Sequence, residues 1–466
     1  MTPERVHFIG IGGVGMSALA QMDLARGAQV SGSDSNPGPL AERLRTLGAL
    51  VFANHSADHI RCVNPDLVVY TDAVTDENPE LAEAKRARIP VFRRAEYLGR
   101  RMEEFAGIRI GVAGTHGKTT TTAMLGDILV YAQHDPTVLV GGEYGPYGGN
   151  LRLGNGPFFV TEACEAFRSF HYLHPDVAIV TNIEPDHLDC YGTPEGVVEG
   201  FATFVRGIRP GGILVIRAGG KAEQRVIEAA KGAGVQVWTF GWAQEGLGDV
   251  QAGNTRGYEG VTACDVVLAR DNGQTIPMQL QVAGSHNVLN ALAAIGAAMA
   301  MGVELSMAVA SLESFRGVHR RFEVLGERDG VTVVDDYAHH PTEIKATIAA
   351  TRQRYPGRRL LAVFQPHLFS RTRDFRADFA LALGACDLVV LTGVYQAREG
   401  PVEGGDTLSL ARELAQLSPT TPLLVELNKK EIPRVLEEVS RPGDVVLIMG
   451  AGDIRKAGEE FVRSMT

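Results

Sequence analysis

The sequence predicts an α/β protein of three domains, because strand-like apolar runs alternate with helical patterns in three successive blocks. Its 466 residues fit about three domains of ordinary size. The composition, 45% hydrophobic and 21% charged, is typical of a globular protein. We expect a Rossmann-like N-terminal domain over residues 1–103, a central P-loop ATPase-like domain with a parallel sheet over residues 104–316, and a C-terminal Rossmann-like α/β domain over residues 317–466.

The net charge of −10 disfavours a nucleic-acid partner or an anionic membrane surface. The five cysteines are scattered and form no C-x-x-C pair, which is typical of reduced thiols in the cytoplasm. The most apolar helical candidate, Ala291–Val303, is too short to cross a membrane. We therefore expect a cytoplasmic protein, a monomer or a homodimer, that binds neither nucleic acid nor membranes.

The first block begins with a strand and a glycine-rich turn. Gly10, Gly12 and Gly15 form a G-x-G-x-x-G pattern between a predicted strand and a predicted helix, which is typical of a diphosphate site. Asp34 lies where a ribose-binding acid is expected, so a NAD(P)-dependent oxidoreductase stays open at this point. The charged run Arg100–Glu104 is predicted to be a linker. The predicted strands are Val6–Ile11, Gln29–Gly32, Leu67–Tyr70 and Pro90–Phe92.

The second block carries the sequence IGVAGTHGKTTTTAML, in which a strand runs into a glycine-rich turn and then a helix. Backbone N–H groups of such a turn bind phosphate, Lys118 can reach a β- or γ-phosphate, and the Thr119 hydroxyl can ligate Mg²⁺. Val112 stands where the general P-loop spacing has glycine, so the loop is a variant. The alternative is a turn with a solvated lysine. We expect Lys118→Ala to abolish turnover with little loss of stability, because the loop is predicted to be exposed.

Further along this block, polar residues follow two predicted strands. Glu162 can hold a Mg²⁺ that also touches Thr119, although a solvated glutamate is the alternative. His187 lies among acids in TNIEPDHLDCYG, which suits the edge of a metal-bound active site. Asn290 shares a helix face with His286 and can bind an adenine edge, whereas helix capping is the alternative for this segment. The predicted elements are strands Phe158–Thr161, Val177–Thr181, Gly212–Ile216 and Val235–Phe240 and helix Asn287–Met301.

The third block places acids and imidazoles together after a predicted strand, in a stretch that includes Asp336 and His339. His367 and Arg371 follow another predicted strand, and the arginine suits bidentate binding of a carboxylate or a phosphate. A surface arginine is the alternative. The predicted strands are Val331–Val334, Arg359–Phe364, Leu388–Thr392, Leu423–Glu426 and Val445–Met449.

Two phosphate-binding loops in two domains suit a reaction that modifies a nucleotide-linked substrate at the expense of ATP. Taken together, GIGGVGMS, GTHGKTTTT, EACE, TNIEPDHLDCY, GSHNVLNALAA, HRRFE, DDYAHHPTEI, QPHLFSRTRD and MGAGDI resemble, in this order, the motifs of the Mur ligase family, the ATP-dependent amide-forming enzymes of peptidoglycan synthesis. The DDYAHHPTEI and GIGGVGMS stretches favour the alanine-adding branch over a sibling ligase that adds a tripeptide to the same sugar nucleotide. The resemblance implies ATP and Mg²⁺ as cofactors and UDP-N-acetylmuramate and L-alanine as substrates.

The resemblance also implies roles for individual residues. The UDP-sugar site would comprise Gly12, Gly13, Val14, Gly15, Met16, Ser17, Asp34, His55 and Thr71. The ATP site would comprise Gly114, Thr115, His116, Gly117, Lys118, Thr119, Thr120, His286, Asn290 and Arg321. Thr119 and Glu162 would bind the first Mg²⁺ and His187 the second. The catalytic residues would be Lys118, Glu162, His187, Asp336 and His339, and the amino acid would meet His367 and Arg371.

The chain departs from the family pattern at several positions. It has EACEAF where the family often has EADESD, and Leu368 where Arg or Thr is common. The carbamylated lysine of several siblings is missing, because no lysine occurs between His187 and Lys221, which fits the alanine-adding branch. A catalytically inactive nucleotide sensor is a further alternative, but the retained Lys118 and Glu162 argue against it.

Overall fold

The computed structural model describes residues 3–270, 273–397 and 399–463 and contains three sheets, of five, ten and six strands. Most of their strand pairs are parallel, which confirms the predicted three-domain α/β class. The predicted domain bounds stay predictions. By their internal contacts the residues form two compact units, one of residues 1–253, 266–276 and 289–312 and the other of residues 254–265, 277–288 and 313–466.

The N-terminal sheet has the strand order β3-β2-β1-β4-β5, and all its pairs are parallel. Its strands are β1 Arg5–Ile9, β2 Gln29–Ser33, β3 Leu50–Phe52, β4 Leu67–Tyr70 and β5 Val91–Arg93. Its helices are α1 Val14–Ala25, α2 Pro39–Thr46, α3 Ala57–Val63, α4 Pro79–Arg86 and α5 Arg94–Glu103.

The predicted linker at Arg100–Glu104 is wrong, because α5 continues to Glu103. Its charged residues pair along the helix, as Arg101 Nη1 lies 2.7 Å from a carboxylate oxygen of Glu104. On the other side of the helix, Leu98 and Met102 are buried in the core. Arg100 and Glu104 of this run are exposed, whereas Arg101 is buried, with its Nε 2.8 Å from a carboxylate oxygen of Asp23, so the run belongs to a packed helix.

The central sheet has the order β15-β14-β13-β12-β11-β10-β6-β9-β7-β8. Its strands are β6 Ile108–Ala113, β7 Thr137–Tyr144, β8 Gly149–Arg152, β9 Phe158–Glu162, β10 Val177–Val180, β11 Ile213–Arg217, β12 Gln236–Trp242, β13 Val250–Tyr258, β14 Val261–Leu268 and β15 Gln274–Leu280. The helices of this part of the chain are α6 Lys118–Tyr131, α7 Leu188–Tyr191, α8 Pro194–Arg206, α9 Lys221–Gly232, α10 Ser285–Ala300 and α11 Leu305–Leu312. The carboxyl ends of β10, β6 and β9 are neighbours, which places the segments after them at one edge of the sheet.

The C-terminal sheet has the order β16-β17-β21-β18-β19-β20, in which only the β16–β17 pair is antiparallel among the described pairs. Its strands are β16 Glu323–Arg328, β17 Val331–Asp336, β18 Leu360–Phe364, β19 Leu388–Leu391, β20 Leu423–Val425 and β21 Val445–Met449. Its helices are α12 Pro341–Arg354, α13 Phe369–Asp374, α14 Arg376–Leu383, α15 Thr407–Leu417, α16 Ile432–Val439 and α17 Arg455–Arg463. In the described part of the chain, no helix combines the length and apolar character needed to span a bilayer.

Candidate active site

The phosphate loop joins β6 to α6, and two of its glycines are required by close contacts. Gly114 has φ +133°, and a Cβ there would lie 1.9 Å from the Thr181 hydroxyl oxygen. Gly117 has φ +83°, and its Cβ would lie 2.2 Å from Oδ1 of Asn290. Any side chain at either glycine would displace the loop. Val112 is fully buried inside β6, so the variant position belongs to the strand that precedes the turn.

The segment after β10 holds the phosphate loop in shape. The amide of Asn182 bonds both backbone groups of His116, accepting from its N–H at 2.9 Å and donating to its carbonyl at 3.0 Å. The Thr115 hydroxyl accepts the N–H of Glu184 at 2.9 Å. The polar TNIEPDH stretch therefore braces the loop, a role that its composition alone did not indicate.

Lys118 lies at the first position of α6 and is mostly buried. Its ammonium group donates to the carbonyls of Gly114, at 2.5 Å, and Thr115, at 3.0 Å, and lies 2.8 Å from the Glu165 carboxylate. The Lys118 side chain is 14% exposed and that of Glu165 is 3% exposed. Burial opposes the charged form, yet the Glu165 carboxylate holds the pKa of Lys118 above its usual value. The premise that this lysine sits in an exposed loop is wrong.

Glu165, which was not among the site residues predicted from the sequence, also approaches His187. Nε2 of His187 lies 3.6 Å from Glu165 Oε1 and 3.9 Å from a carboxylate oxygen of Asp186. His187 has φ +51° at the start of α7, and its N–H donates to Asp186 at 2.7 Å. Its Nδ1 is buried and has no hydrogen-bond partner among the described residues. The second glutamate of EACE was the available signal for Glu165.

Glu162 ends β9 with its carboxylate against the backbone of β7. It accepts the Gly141 N–H at 2.6 Å, and a Cβ at Gly141 would lie within 2.5 Å of the carboxylate. Thr119 lies in the first turn of α6. Carboxylate and hydroxyl oxygens are the donors that Mg²⁺ prefers, so this edge of the sheet fits a magnesium site chemically. Burial raises the pKa of the Cys164 thiol to about 11, which disfavours a thiolate there.

The predicted UDP-sugar residues surround the first glycine-rich turn. Asp34 accepts the N–H of Gly12 at 2.9 Å, and a Cβ at Gly10, which has φ +83°, would lie 2.7 Å from the Thr71 methyl group. The Ser17 hydroxyl is buried and accepts from the amide of Asn150, a residue of β8, at 3.2 Å. The Met16 side chain is also buried in the core, so neither of these two side chains lies on the surface of the turn.

In the C-terminal sheet domain, Asp336 ends β17 and shapes the loop that follows. It accepts the N–H groups of Phe322 at 2.8 Å and Ala338 at 2.7 Å. Burial raises the pKa of Asp336 to about 6, although the Arg321 guanidinium works against this rise. Arg321 lies over the Tyr337 ring, 5.0 Å from its centroid. These contacts fix the backbone that carries the next imidazole.

His339, His367 and Arg371 lie together in the C-terminal sheet domain. The two imidazole centroids are 5.7 Å apart, and Arg371 Nη1 is 3.2 Å from Nδ1 of His367. Nδ1 of His339 lies 2.9 Å from the Tyr337 carbonyl oxygen. Because a carbonyl can only accept, Nδ1 carries a proton, and it also lies 3.2 Å from a carboxylate oxygen of Glu343; in the neutral tautomer this leaves the lone pair on Nε2.

His286 is the second residue of helix α10. A Cβ at Gly284, which has φ +100°, would lie 2.5 Å from its ring. Burial lowers the pKa of His286 to about 4, so its imidazole is neutral at physiological pH.

Comparisons with known proteins give the same family along the whole chain. Three family models match: "Mur ligase family, catalytic domain" over residues 5–106, "Mur ligase middle domain" over 112–298, and "Mur ligase, glutamate ligase domain" over 320–452. Proteins named UDP-N-acetylmuramate–L-alanine ligase from Clostridium tetani and Geobacter sulfurreducens are each 41% identical, and each alignment covers 99% of this chain and 98% of the relative.

Solved structures agree with this result. A UDP-N-acetylmuramate-alanine ligase from Thermotoga maritima matches with a TM-score of 0.82 at 32% identity, covering 98% of both chains. A murein peptide ligase from Psychrobacter arcticus matches with a TM-score of 0.75 at 26% identity, also over 98% of both chains. With this full-length similarity in sequence and in fold, the chain belongs to the Mur ligase family.

Proposed function

We propose that the protein joins L-alanine to the carboxylate of UDP-N-acetylmuramate at the expense of ATP, giving UDP-N-acetylmuramoyl-L-alanine, ADP and phosphate. The observation that carries this proposal is the full-length identity of about 41% to relatives named for that reaction. Retention of Lys118, Glu162 and His187 around one edge of the central sheet supports an active enzyme rather than an inactive nucleotide sensor.

The reaction has two steps that balance chemically. An oxygen of the muramoyl carboxylate attacks the γ-phosphorus of ATP, the bond to the β-phosphate oxygen breaks, and ADP leaves. The alanine amine then attacks the acyl carbon of the acyl phosphate, the carbon–oxygen bond breaks, and phosphate leaves with that electron pair. Phosphorylation is needed because an unactivated carboxylate is a poor electrophile.

Residues of the phosphate loop and its surroundings would support the first step. The backbone N–H groups of residues 114–120 and the Lys118 ammonium would bind the phosphates and offset the repulsion between two anions. Thr119, Glu162 and His187 would hold Mg²⁺, which supplies positive charge to the transferred phosphoryl group. Glu165 would keep Lys118 charged and oriented before the phosphates arrive.

The second step falls to residues of the C-terminal sheet domain. We assign the carboxylate of the amino acid to Arg371, which suits bidentate binding, and assign His367 to the same subsite. Nε2 of His339 would accept the proton that the attacking amine loses. Asp336 would act by holding the loop that carries His339, and Arg321 would bind the nucleotide.

Two alternatives are less well supported. A sibling ligase that adds a tripeptide would share the same fold and the same sugar nucleotide, but the full-length relatives named above are alanine ligases. A NAD(P)-dependent oxidoreductase rests on the Gly10–Gly15 turn and Asp34 alone, and no relative named above is an oxidoreductase. We further propose a cytoplasmic location, in line with the five free cysteines.

The test is ADP release measured with ATP, Mg²⁺ and UDP-N-acetylmuramate, with one amine substrate added at a time: L-alanine, glycine, L-serine or a tripeptide. We expect release that depends on both the sugar nucleotide and L-alanine. Equal release without the sugar nucleotide would overturn the proposal, and a preference for the tripeptide would reassign the protein to the sibling branch.

A further inference from the structure

A buried carboxylate in the N-terminal domain is surrounded by imidazoles and has no role in the mechanism above. Glu80 lies in the first turn of α4, and its side chain is 0% exposed. We call its surroundings the imidazole cluster, which comprises His7, Ser33, His55, His59 and Glu80. Burying a carboxylate is costly unless its charge is paired and hydrogen-bonded, so this arrangement needs an explanation.

The contacts of Glu80 divide between its two oxygens. Oε1 lies 2.6 Å from Nδ1 of His59 and 3.7 Å from Nε2 of His7. Oε2 accepts a short hydrogen bond from the Ser33 hydroxyl and lies 3.2 Å from Nδ1 of His55. Nδ1 of His55 is also 2.9 Å from the Ser33 hydroxyl oxygen.

These contacts determine where the protons are. Burial opposes the charged form of Glu80, but the imidazoles and Ser33 hold its pKa down to about 2, so it is ionised and can only accept. The Ser33 hydroxyl therefore donates to Glu80, and its oxygen is left to accept from Nδ1 of His55. Nδ1 of His55 therefore donates to both neighbours, and in the tautomer with a single ring proton this leaves the lone pair on Nε2.

The cluster lies directly beside the first glycine-rich turn. The Ser33 carbonyl accepts the N–H groups of Gly10, at 2.8 Å, and Ile11, at 3.1 Å. The next residue is Asp34, which bonds Gly12. Of the three imidazoles in the cluster, His55 has the most exposed side chain, at 24%, against 14% for His59 and 0% for His7.

We propose that Glu80 is a positioning residue for the UDP-sugar site, which acts through Ser33 to fix the His55 tautomer and so present Nε2 as an acceptor to an N–H or O–H donor of the uridine. The inference rests on the proposed function for the identity of this ligand. An unprotonated Nε2 needs a hydrogen-bond donor, and a phosphate oxygen cannot donate. His55 should therefore contact the uridine and not the diphosphate.

The central experiment is a double-mutant cycle on the full enzyme with Glu80→Gln, His55→Ala and both changes. Each single variant should raise KM for UDP-N-acetylmuramate about threefold to tenfold, the effect of one lost hydrogen bond. The values of kcat and of KM for ATP should change less than about twofold, because neither residue touches the other substrate. In the His55→Ala background, Glu80→Gln should add nothing to KM, since its effect passes through His55.

His59→Gln is the matched control, because it removes another Glu80 partner and leaves the Ser33–His55 contacts intact. If it raises KM for UDP-N-acetylmuramate as much as Glu80→Gln does, Glu80 has only a structural role and the inference is wrong. Additive effects of Glu80→Gln and His55→Ala would overturn it equally.

A measurement without turnover separates this inference from the proposed function. Long-range ¹H–¹⁵N spectra of the wild-type protein should show His55 with a protonated Nδ1 and an unprotonated Nε2 at pH 7.5, and Glu80→Gln should mix the tautomers. A protonated Nε2 in the wild type would overturn the inference even if alanine ligation is confirmed. If no ligation occurs but the tautomer is as stated, the substrate assignment fails and the Glu80–Ser33–His55 relay stands.

Discussion

The buried ion pair between Lys118 and Glu165 predicts that removing the lysine destabilises the protein. Removing a lysine from an exposed phosphate loop would not. Lys118→Met removes the ammonium group and keeps most of the side-chain volume. It leaves the Glu165 carboxylate, 3% exposed, with the His187 imidazole 3.6 Å away. Breaking one side of a buried ion pair costs about 3–5 kcal/mol, and the nearby imidazole argues for the lower end. We expect the free energy of unfolding to fall by about 3 kcal/mol and turnover to be lost.

The assay is thermal and urea unfolding without nucleotide, followed by the ADP-release assay. At roughly 2 °C per kcal/mol, a value suited to a large domain, the expected fall in Tm is about 6 °C. The matched control is Lys118→Met combined with Glu165→Gln, which removes both charges. The double variant should lose about 2 kcal/mol less unfolding free energy than the two single variants lose together. It should remain inactive. A Lys118→Met variant as stable as the wild type, or strictly additive effects, would refute the reasoning.

Three further predictions follow from particular contacts. Glu80 has a folded-state pKa of about 2, below its usual 4.5, so its stabilising effect is complete above pH 4.5 and is lost as the pH falls toward 2. Glu80→Gln should therefore lower Tm at pH 7 and flatten the dependence of Tm on pH between 4.5 and 2, as followed by circular dichroism. His286 has a folded-state pKa of about 4, below the unfolded value of 6.5, so NMR should show it titrating near pH 4, and its contribution to stability should decline as the pH falls from 6.5 toward 4. Gly117→Ala should raise KM for ATP more than tenfold, because its Cβ meets Asn290 at 2.2 Å, whereas Gly234→Ala, with a similar φ of +76° and open space, should cost about 1 kcal/mol in stability and leave KM unchanged.

The buried parallel strands could be predicted because they are continuous apolar runs. Val445–Met449 was predicted with the bounds that the structure shows, and it is buried along its whole length. The missed strands lack this signal. In β14, Val261–Leu268, buried and partly exposed residues alternate, but the polar residues do not follow this alternation: Thr262 is buried, whereas Val261 and Val267 are partly exposed. Such strands form because they pair with neighbouring strands of the sheet, and the local sequence does not show which strands will be neighbours.

The α/β class and both glycine-rich turns follow from the sequence alone, which also predicts phosphate and Mg²⁺ chemistry at Lys118, Glu162 and His187. These features depend on neighbours in the chain: a strand, a turn with fixed glycine spacing and a helix N-terminus. How these residues are oriented and braced depends instead on contacts between distant parts of the chain. Lys118 and Glu165 are 47 residues apart and Ser33 and Glu80 also 47, so their pairing depends on which strands are neighbours in each sheet. Burial then sets the strength of each pair, because a charge removed from water must be neutralised by a partner that the fold supplies.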